Sequence, residues 1–431
     1  MEQQTLGAEK GLLHNRSYLA LMASQLVSNL GDWLHLLALL MMVGLKWNAT
    51  PWQITMVMLS ALLPMLIGGP FAGMLADRLE RKKLMIISDL SRVLVVLGLV
   101  FVSQLWQVYV LMVAKSAFDV LFYPAKNGKL KEIVAPEHMG KAVSYSAIIE
   151  QGTKIIGPAV GGMLAVTVGI SSCFIIDAAS FLLSAAILFG VPGKPAASAD
   201  KIKEEPGGTK PGLWREMADG MKVIAGIPII SFGLLAMATG LLVLQIADSQ
   251  TVVLFRDIPG MPENMLGWCI TLSGVGALTA AGISQLLRRW SPLAKMGSGG
   301  AMLGIVMGGA GLFALYGPFN QLGYTLVALL FLLAGLGAGM TFIPFQVVLQ
   351  QRTPEALTGR VFGTVSSVTS VSSVIGPLFG GYLVTAFGPS PAFILSGGLM
   401  ALIGMLLLLF MPLIIKRDKD AAIPAQQAAG A

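Results

Sequence analysis

Charge is scarce in this chain. Asp, Glu, Lys and Arg make up 12% of its 431 residues while hydrophobic residues reach 55%. Soluble domains carry roughly 25% charge, so that balance excludes a soluble globular class. Only two cysteines are present, Cys173 and Cys269, in separate apolar segments and without metal-ligand spacing, which leaves no disulfide framework and no metal site to expect. The three histidines, His14, His35 and His138, form no cluster. No Gly-rich loop ends in Gly-Lys-Ser/Thr, so ATP is not the expected energy source. No nucleophile stands beside a base. An enzyme reading therefore has little support, and no cofactor is expected.

Long apolar runs fill the space that charge leaves. Twelve segments of bilayer-spanning length recur, at 17–46, 52–76, 84–103, 106–125, 142–168, 172–192, 228–254, 264–287, 295–316, 322–350, 358–387 and 391–414. In lipid the backbone must bond to itself, and these runs are too long and too evenly apolar for barrel strands. The expected fold class is all-α integral membrane, with twelve transmembrane helices. The first segment is too long for a signal peptide. With both termini and the loops after even-numbered segments on one side, that side holds 24 of the 29 basic residues. The positive-inside rule makes it the cytoplasm and the expected site a plasma (inner) membrane. The formal charge of +7 then needs no nucleic acid to explain it.

The chain also repeats itself. Gly157-Pro158-Ala159-Val160-Gly161-Gly162 returns as Gly376-Pro377-Leu378-Phe379-Gly380-Gly381, at an offset of 219 residues. Phe122-Tyr123-Pro124 likewise matches Phe342-Ile343-Pro344. Two like halves imply a transporter with a binding site between them, exposed to each side in turn. The division reads as a six-helix bundle over 1–192, a cytoplasmic linker with a surface helix over 193–227, and a second six-helix bundle and tail over 228–431. Trp214 to Ile224 carries the amphipathic pattern of that surface helix, and the Ala/Gln-rich tail after Asp420 is expected to be disordered.

At Gly73-Met74-Leu75-Ala76-Asp77-Arg78-Leu79-Glu80-Arg81-Lys82-Lys83 the chain closely resembles the loop signature of the major facilitator superfamily, between its second and third helices. Gly157-Pro158 with Gly161-Gly162 resembles the helix 5 motif of drug/proton antiporters. There the upstream family Gly is replaced by Thr153, with Gly152 one place off. Ser88-Asp89-Leu90-Ser91-Arg92 and Asp177-Ala178-Ala179-Ser180-Phe181-Leu182-Leu183 are similar to runs in the branch of macrolide-efflux and siderophore exporters. The resemblance covers essentially the whole chain and implies two pseudo-symmetric six-helix bundles. Glu80 stands where the family usually has Gly.

Physical roles for these residues can be stated independently of the name. Asp77 can accept from the free N–H groups of a helix start, and Arg78, Arg81 and Lys82 can pair with carboxylates of neighbouring helices. Together with Gly73 they would form a conformational latch; the bland alternative is a basic cluster that only enforces topology. The Gly-Pro-x-x-Gly-Gly repeats let helix backbones approach closely, and are expected to form bendable contacts between the halves.

Ionisable groups inside a membrane helix are expensive and therefore candidates for function. On the first segment Gln25, Ser28, Asn29, Asp32 and His35 share an arc of about 120°, a stripe that should line a wet cavity. Asp32, midway along, can load and release a proton or bind a cation, or else be a carboxylate satisfied by Asn29 or a neighbouring helix. Lys115 with Asp119, and Glu150 with Lys154, have i, i+4 spacing and can neutralise themselves or belong to a relay or substrate site. The family lines its cavity with helices 1, 4, 7 and 10, which favours Lys115 and Asp119. In the second half Gln245 and Asp248, near the repeat equivalents of Gln25 and Asn29, and Gln346 are expected hydrogen-bonding contacts. Asp89 with Arg92, and Asp177, read as structural.

The expected function is export of a small amphiphilic molecule, drug-like or metabolite, in exchange for protons, with the proton gradient as energy source. A cationic or neutral amphiphile, the lipid bilayer and a monomeric state are the expected partners and form. A lysophospholipid or nutrient carrier of the same fold is the alternative, and a non-transporting ligand sensor the alternative of another class.

Overall fold

The computed structural model describes residues 12–135, 138–193, 221–262, 264–353 and 358–429. They form two units, 12–47 with 56–193 and 48–55 with 221–429. The expected linker and surface helix fall mainly on 194–220, outside the described residues; 221–225 is helical.

The first unit holds α1 (Arg16–Met41), α2 (Pro51–Arg78, except its first residues 51–55, which group with the second unit), α3 (Arg81–Val100), α4 (Leu105–Ile133), α5 (Met139–Thr167) and α6 (Ile170–Phe189). A π-helical turn, Met42–Lys46, prolongs α1. Local chemistry sets the starts. Asn15 accepts from the Tyr18 N–H at 3.1 Å, an N-cap, and donates to the Ile133 carbonyl at 2.8 Å, tying the start of α1 to the end of α4. At α4, Gln104 and Gln107 form a reciprocal capping box. Within the unit α1 packs on α5 and α6, and α3 on α4 and α6.

The second unit follows the same pairing. It holds α7 (Pro228–Asp248), a short α8 (Thr251–Asp257), α9 (Met265–Leu286), α10 (Pro292–Tyr316), α11 (Gln321–Arg352), α12 (Thr358–Phe387) and α13 (Pro389–Ala429). Here α7 packs on α12 and α13, and α10 on α11 and α13. Glycine makes the α10–α13 contact possible. A Cβ on Gly304 would strike the Ala401 backbone, and one on Gly397 the backbone of Gly308, so these helices meet main chain to main chain. The repeat extends to one backbone angle. Gly169 before α6 and Gly388 before α13 both have φ +86°, and they too are 219 residues apart.

Among the described residues, nine helices are long and apolar enough to cross a membrane. The fold is all-α and of the integral membrane class. The charges of Arg81, Lys82, Lys83, Asp89 and Arg92 on α3 lower its hydropathy although its 20 residues suffice in length.

Three expectations are corrected. The seventh segment breaks after Asp248 into α7 and α8, where the Gln250 amide turns aside to donate to Thr55 Oγ1 (3.1 Å) and the Pro51 carbonyl (3.3 Å). The fourth segment does not end at 125 but runs to Ile133, burying Lys126 and Lys129. The tail after Asp420 is helical to Ala429, in keeping with the helix preference of Ala and Gln.

Candidate functional site

Five charged side chains from three helices meet inside the first unit. Lys115 of α4 lies between two carboxylates, its Nζ 2.6 Å from Asp32 Oδ1 on α1 and 2.9 Å from Asp119 Oδ2 one turn along α4. Asp119 Oδ1 in turn accepts from Arg92 Nη1 of α3 at 3.1 Å. The other arm of Arg92 pairs with Asp89, whose second oxygen accepts from Ser184 Oγ of α6 at 2.7 Å. The guanidinium stacks between Phe122 and Phe181, 4.6 and 4.4 Å from the ring centroids. Arg92 has the planar fork and the weak hydration that suit such a position.

Exposure grades along this chain of contacts. Asp89 and Arg92 are buried and the Lys115 side chain is 6% exposed, whereas that of Asp32 is 35% exposed. Asp119 lies between them, its side chain 26% exposed. The arrangement places one open carboxylate in contact with a buried ammonium that has a second carboxylate to turn to. A proton or cation arriving at Asp32 can therefore displace Lys115 without leaving it unpaired.

One turn along α1, His35 Nδ1 stands 3.3 Å from Asp177 Oδ2 of α6, and both side chains are buried. Neither ring nitrogen nor that oxygen has a hydrogen-bond partner among the described residues; the contact is one of charge distance rather than a formed bond. Gly31 permits it, since a Cβ there would strike Ser180 and Asp177.

The remaining residues of the α1 stripe face α5. Gln25 Nε2 donates to the Ser146 carbonyl (3.2 Å) and Gln25 Oε1 accepts from Ser146 Oγ (2.8 Å). Asn29 Nδ2 lies 3.5 Å from Thr153 Oγ1. On α5 itself Lys154 pairs with Glu150 at 3.0 Å, both partly open, and away from the Lys115 network. In the second unit Gln245, Asp248 and Gln346 make no hydrogen bond to one another among the described residues; Asp248 is exposed and the two glutamines are half-buried.

Four of the motif glycines, Gly157, Gly161, Gly376 and Gly380, pack on the first helix of their own unit. A Cβ on Gly157 would strike Trp33, and one on Gly161 would strike Leu37, both on α1. Likewise Gly376 faces Gln245 and Gly380 the Ile246 carbonyl of α7, and Gly381 faces Thr55. Gly162 is buried beside them, and Pro158 and Pro377 lie inside their helices. Small residues bring the backbones together: Gly161 approaches the Trp33 carbonyl, Gly376 that of Leu242 and Gly380 that of Ile246.

Of the latch residues, Gly73 and Asp77 lie outside those whose side chains are described. Arg78 is exposed. Arg81 Nη1 reaches Glu132 at 2.8 Å and the Gly128 carbonyl at 3.2 Å, and Lys82 donates to the Phe189 carbonyl at 2.8 Å. These contacts join α3 to the ends of α4 and α6.

Sequence reading missed the joining of Asp89, Arg92 and Asp177 to this site. Their signal was present: a polar residue in an apolar helix needs a partner, and α1, α3, α4 and α6 each offered one. Nothing in the sequence said that the partners were each other.

The comparisons agree with this architecture. The chain matches the Major Facilitator Superfamily profile over residues 21–368 and 300–428. It is 40% identical over 402 residues to an uncharacterized MFS-type transporter, YfiS, of Bacillus subtilis (strain 168), covering 93% of this chain and 95% of that one. It is 27% identical to the enterobactin exporter EntS of Shigella flexneri, covering 86% and 88%. Among solved structures, the nucleoside transporter NupG superposes with a TM-score of 0.65 at 14% identity, covering 92% of this chain and 99% of that one; that likeness is one of fold. With a superfamily profile spanning its length and a close relative along nearly all of it, the chain belongs to the Major Facilitator Superfamily and is a multi-pass membrane transporter, not an enzyme.

Proposed function

We propose that the chain exports a small amphiphilic molecule, drug-like or metabolite, in exchange for protons through alternating access. The observation that carries this is the shared Lys115. Its ammonium touches both Asp32 and Asp119, and of the two carboxylates Asp32 is the more exposed, 35% against 26%. A proton on Asp32 cancels its pull on Lys115, which then stays with Asp119. Loss of that proton restores the bridge. The two arrangements differ in charge and in helix contacts, as a coupled carrier requires. An open carboxylate suits a cationic or neutral group on the cargo. The similarity to exporters, an enterobactin exporter among them, supports the outward direction.

In this reading the proton gradient drives transport and the carrier works as a monomer in the plasma membrane, with both termini on the cytoplasmic side. The asymmetry of basic residues supports that placement. The contacts of Arg81 and Lys82 would serve as the latch, with Gly73, Asp77 and Arg78 beside them.

Energised inverted vesicles carrying a pH probe test the reading. Lipophilic cations, macrolides and lysolipids are added in turn to wild type and to Asp32→Asn. Proton release by one class, lost in the variant, supports it. If the variant, folded and inserted, keeps gradient-driven transport, the coupling role of Asp32 is lost.

A further inference from the structure

Lys126 of α4 has no carboxylate in ion-pair contact among the described residues, and Glu150 acts on it only from beyond that distance. The Lys126 side chain is buried, at 4% exposure, and among the described residues Nζ has one hydrogen-bond acceptor, Ser146 Oγ at 3.2 Å. That hydroxyl spends its own hydrogen on Gln25 Oε1, and an ammonium has three donors, so two are unused. The Tyr123 ring, 5.2 Å away, softens a positive charge but does not cancel it.

Among the described residues, every other buried Lys or Arg of the first unit has a carboxylate. Lys115 has Asp32 and Asp119, Arg92 has Asp89 and Asp119, and Lys129 has Glu132. For Lys126 no carboxylate lies within 4.0 Å among the described residues, and the acid of the adjoining helix, Glu150, is engaged with Lys154. Enforcing topology does not require burial of the side chain. An unmatched buried charge costs several kcal/mol, and a negative group from outside the chain would offset it.

From these contacts we infer that Lys126, with Ser146 and Gln25, forms an anion-binding subsite, taking a carboxylate, phosphate or similar group. Tyr123, whose ring lies 5.2 Å from the ammonium, is exposed, and the flexible lysine stem would let the ammonium swing towards it. The subsite and the Asp32 carboxylate lie on one face of α1, since Gln25 and Asp32 are two helical turns apart, about 10 Å. Cargo that fits both is amphoteric, with an acid at one end and a basic or neutral polar group about 10 Å away. This deepens the transport reading and rests on it for the nature of the cargo; the anion site itself does not need flux.

Three dansyl probes of one scaffold test it: neutral dansylamide, anionic dansylglycine and cationic dansylcadaverine. Binding is read by fluorescence on protein in nanodiscs of zwitterionic lipid. Wild type should favour the acid over the amide by at least about tenfold, the worth of one charged hydrogen bond. Lys126→Gln should abolish that preference and Lys126→Arg should keep it. Anionic lipid in the disc separates two sources of the group. Competition with dansylglycine in wild type identifies a lipid headgroup as an occupant of the same subsite; no competition assigns it to cargo. Equal binding of acid and amide by wild type, or an acid preference that survives Lys126→Gln, overturns the proposal. Proton coupling, measured separately in Asp32→Asn vesicles, stands or falls without it.

Discussion

Lys115 Nζ lies 2.6 Å from Asp32 Oδ1, and the two side chains differ in exposure, 6% against 35%. The asymmetry decides which partner the fold needs. Lys115→Met leaves Asp32 and Asp119 without their shared cation and should cost about 3–5 kcal/mol. Asp32→Asn removes a half-solvated charge and should cost about 1 kcal/mol or less. Unfolding of the purified variants in mixed micelles measures both; a cost for Asp32→Asn equal to that of Lys115→Met would contradict this assignment.

Arg92 depends on shape as well as charge. Lys in its place keeps the charge but loses the fork to Asp89 and Asp119 and the stacking on Phe122 and Phe181. Arg92→Lys should therefore cost about 1–3 kcal/mol. In a double-mutant cycle with Phe181→Leu the costs should fall short of additive. Strict additivity would mean that the stacking contributes nothing.

Two neighbouring glycines of α5 should respond oppositely to alanine. Gly152 has open space where a Cβ would go, so Gly152→Ala should stabilise the helix by up to about 1 kcal/mol. Gly157 lies against Trp33, and Gly157→Ala should cost about 1–3 kcal/mol through overpacking. Thermal denaturation of the pair, with Trp33→Ala as a partial rescue of Gly157→Ala, checks both signs.

Asp418 holds three helices together at one end of the second unit. Its Oδ1 accepts from the Ile229 N–H in the first turn of α7 (3.3 Å), and its Oδ2 is 3.3 Å from Arg352 Nη2 at the end of α11. Asp418→Ala should cost about 1–2 kcal/mol, as for a lost helix cap. Hydrogen exchange at Ile229 should quicken by about tenfold while the middle of α7 is unchanged.

Much of the fold was legible because it rests on local rules. The apolar runs placed the helices, and the Gly-Pro-x-x-Gly-Gly repeat announced two like halves. The same rules stopped short at Lys126. Basic residues after an apolar run read as a loop, and only Ser146 and Gln25, distant in sequence, show that the helix carries this one inward. The site was legible in part. Lys115 with Asp119, and Glu150 with Lys154, could be paired from spacing alone, since both partners lie on one helix. Asp32 with Lys115 and Arg92 with Asp119 join residues 83 and 27 positions apart, and helix periodicity carries no information about such a pairing. Gly157 was recognised as a packing residue, but the identity of the helix packed against it, α1, depended on tertiary structure.

The two halves keep one frame but do not share one electrostatic content. Gly169 and Gly388 retain the same backbone angle, yet the buried ion network belongs to the first unit. Among the described residues, charged side chains of the second unit sit at helix ends or in the last third of α13. The two halves thus keep one geometry while the buried charges are concentrated in one of them. A chimera that takes its first half from a relative should inherit that relative's pH dependence, whichever protein supplies the second.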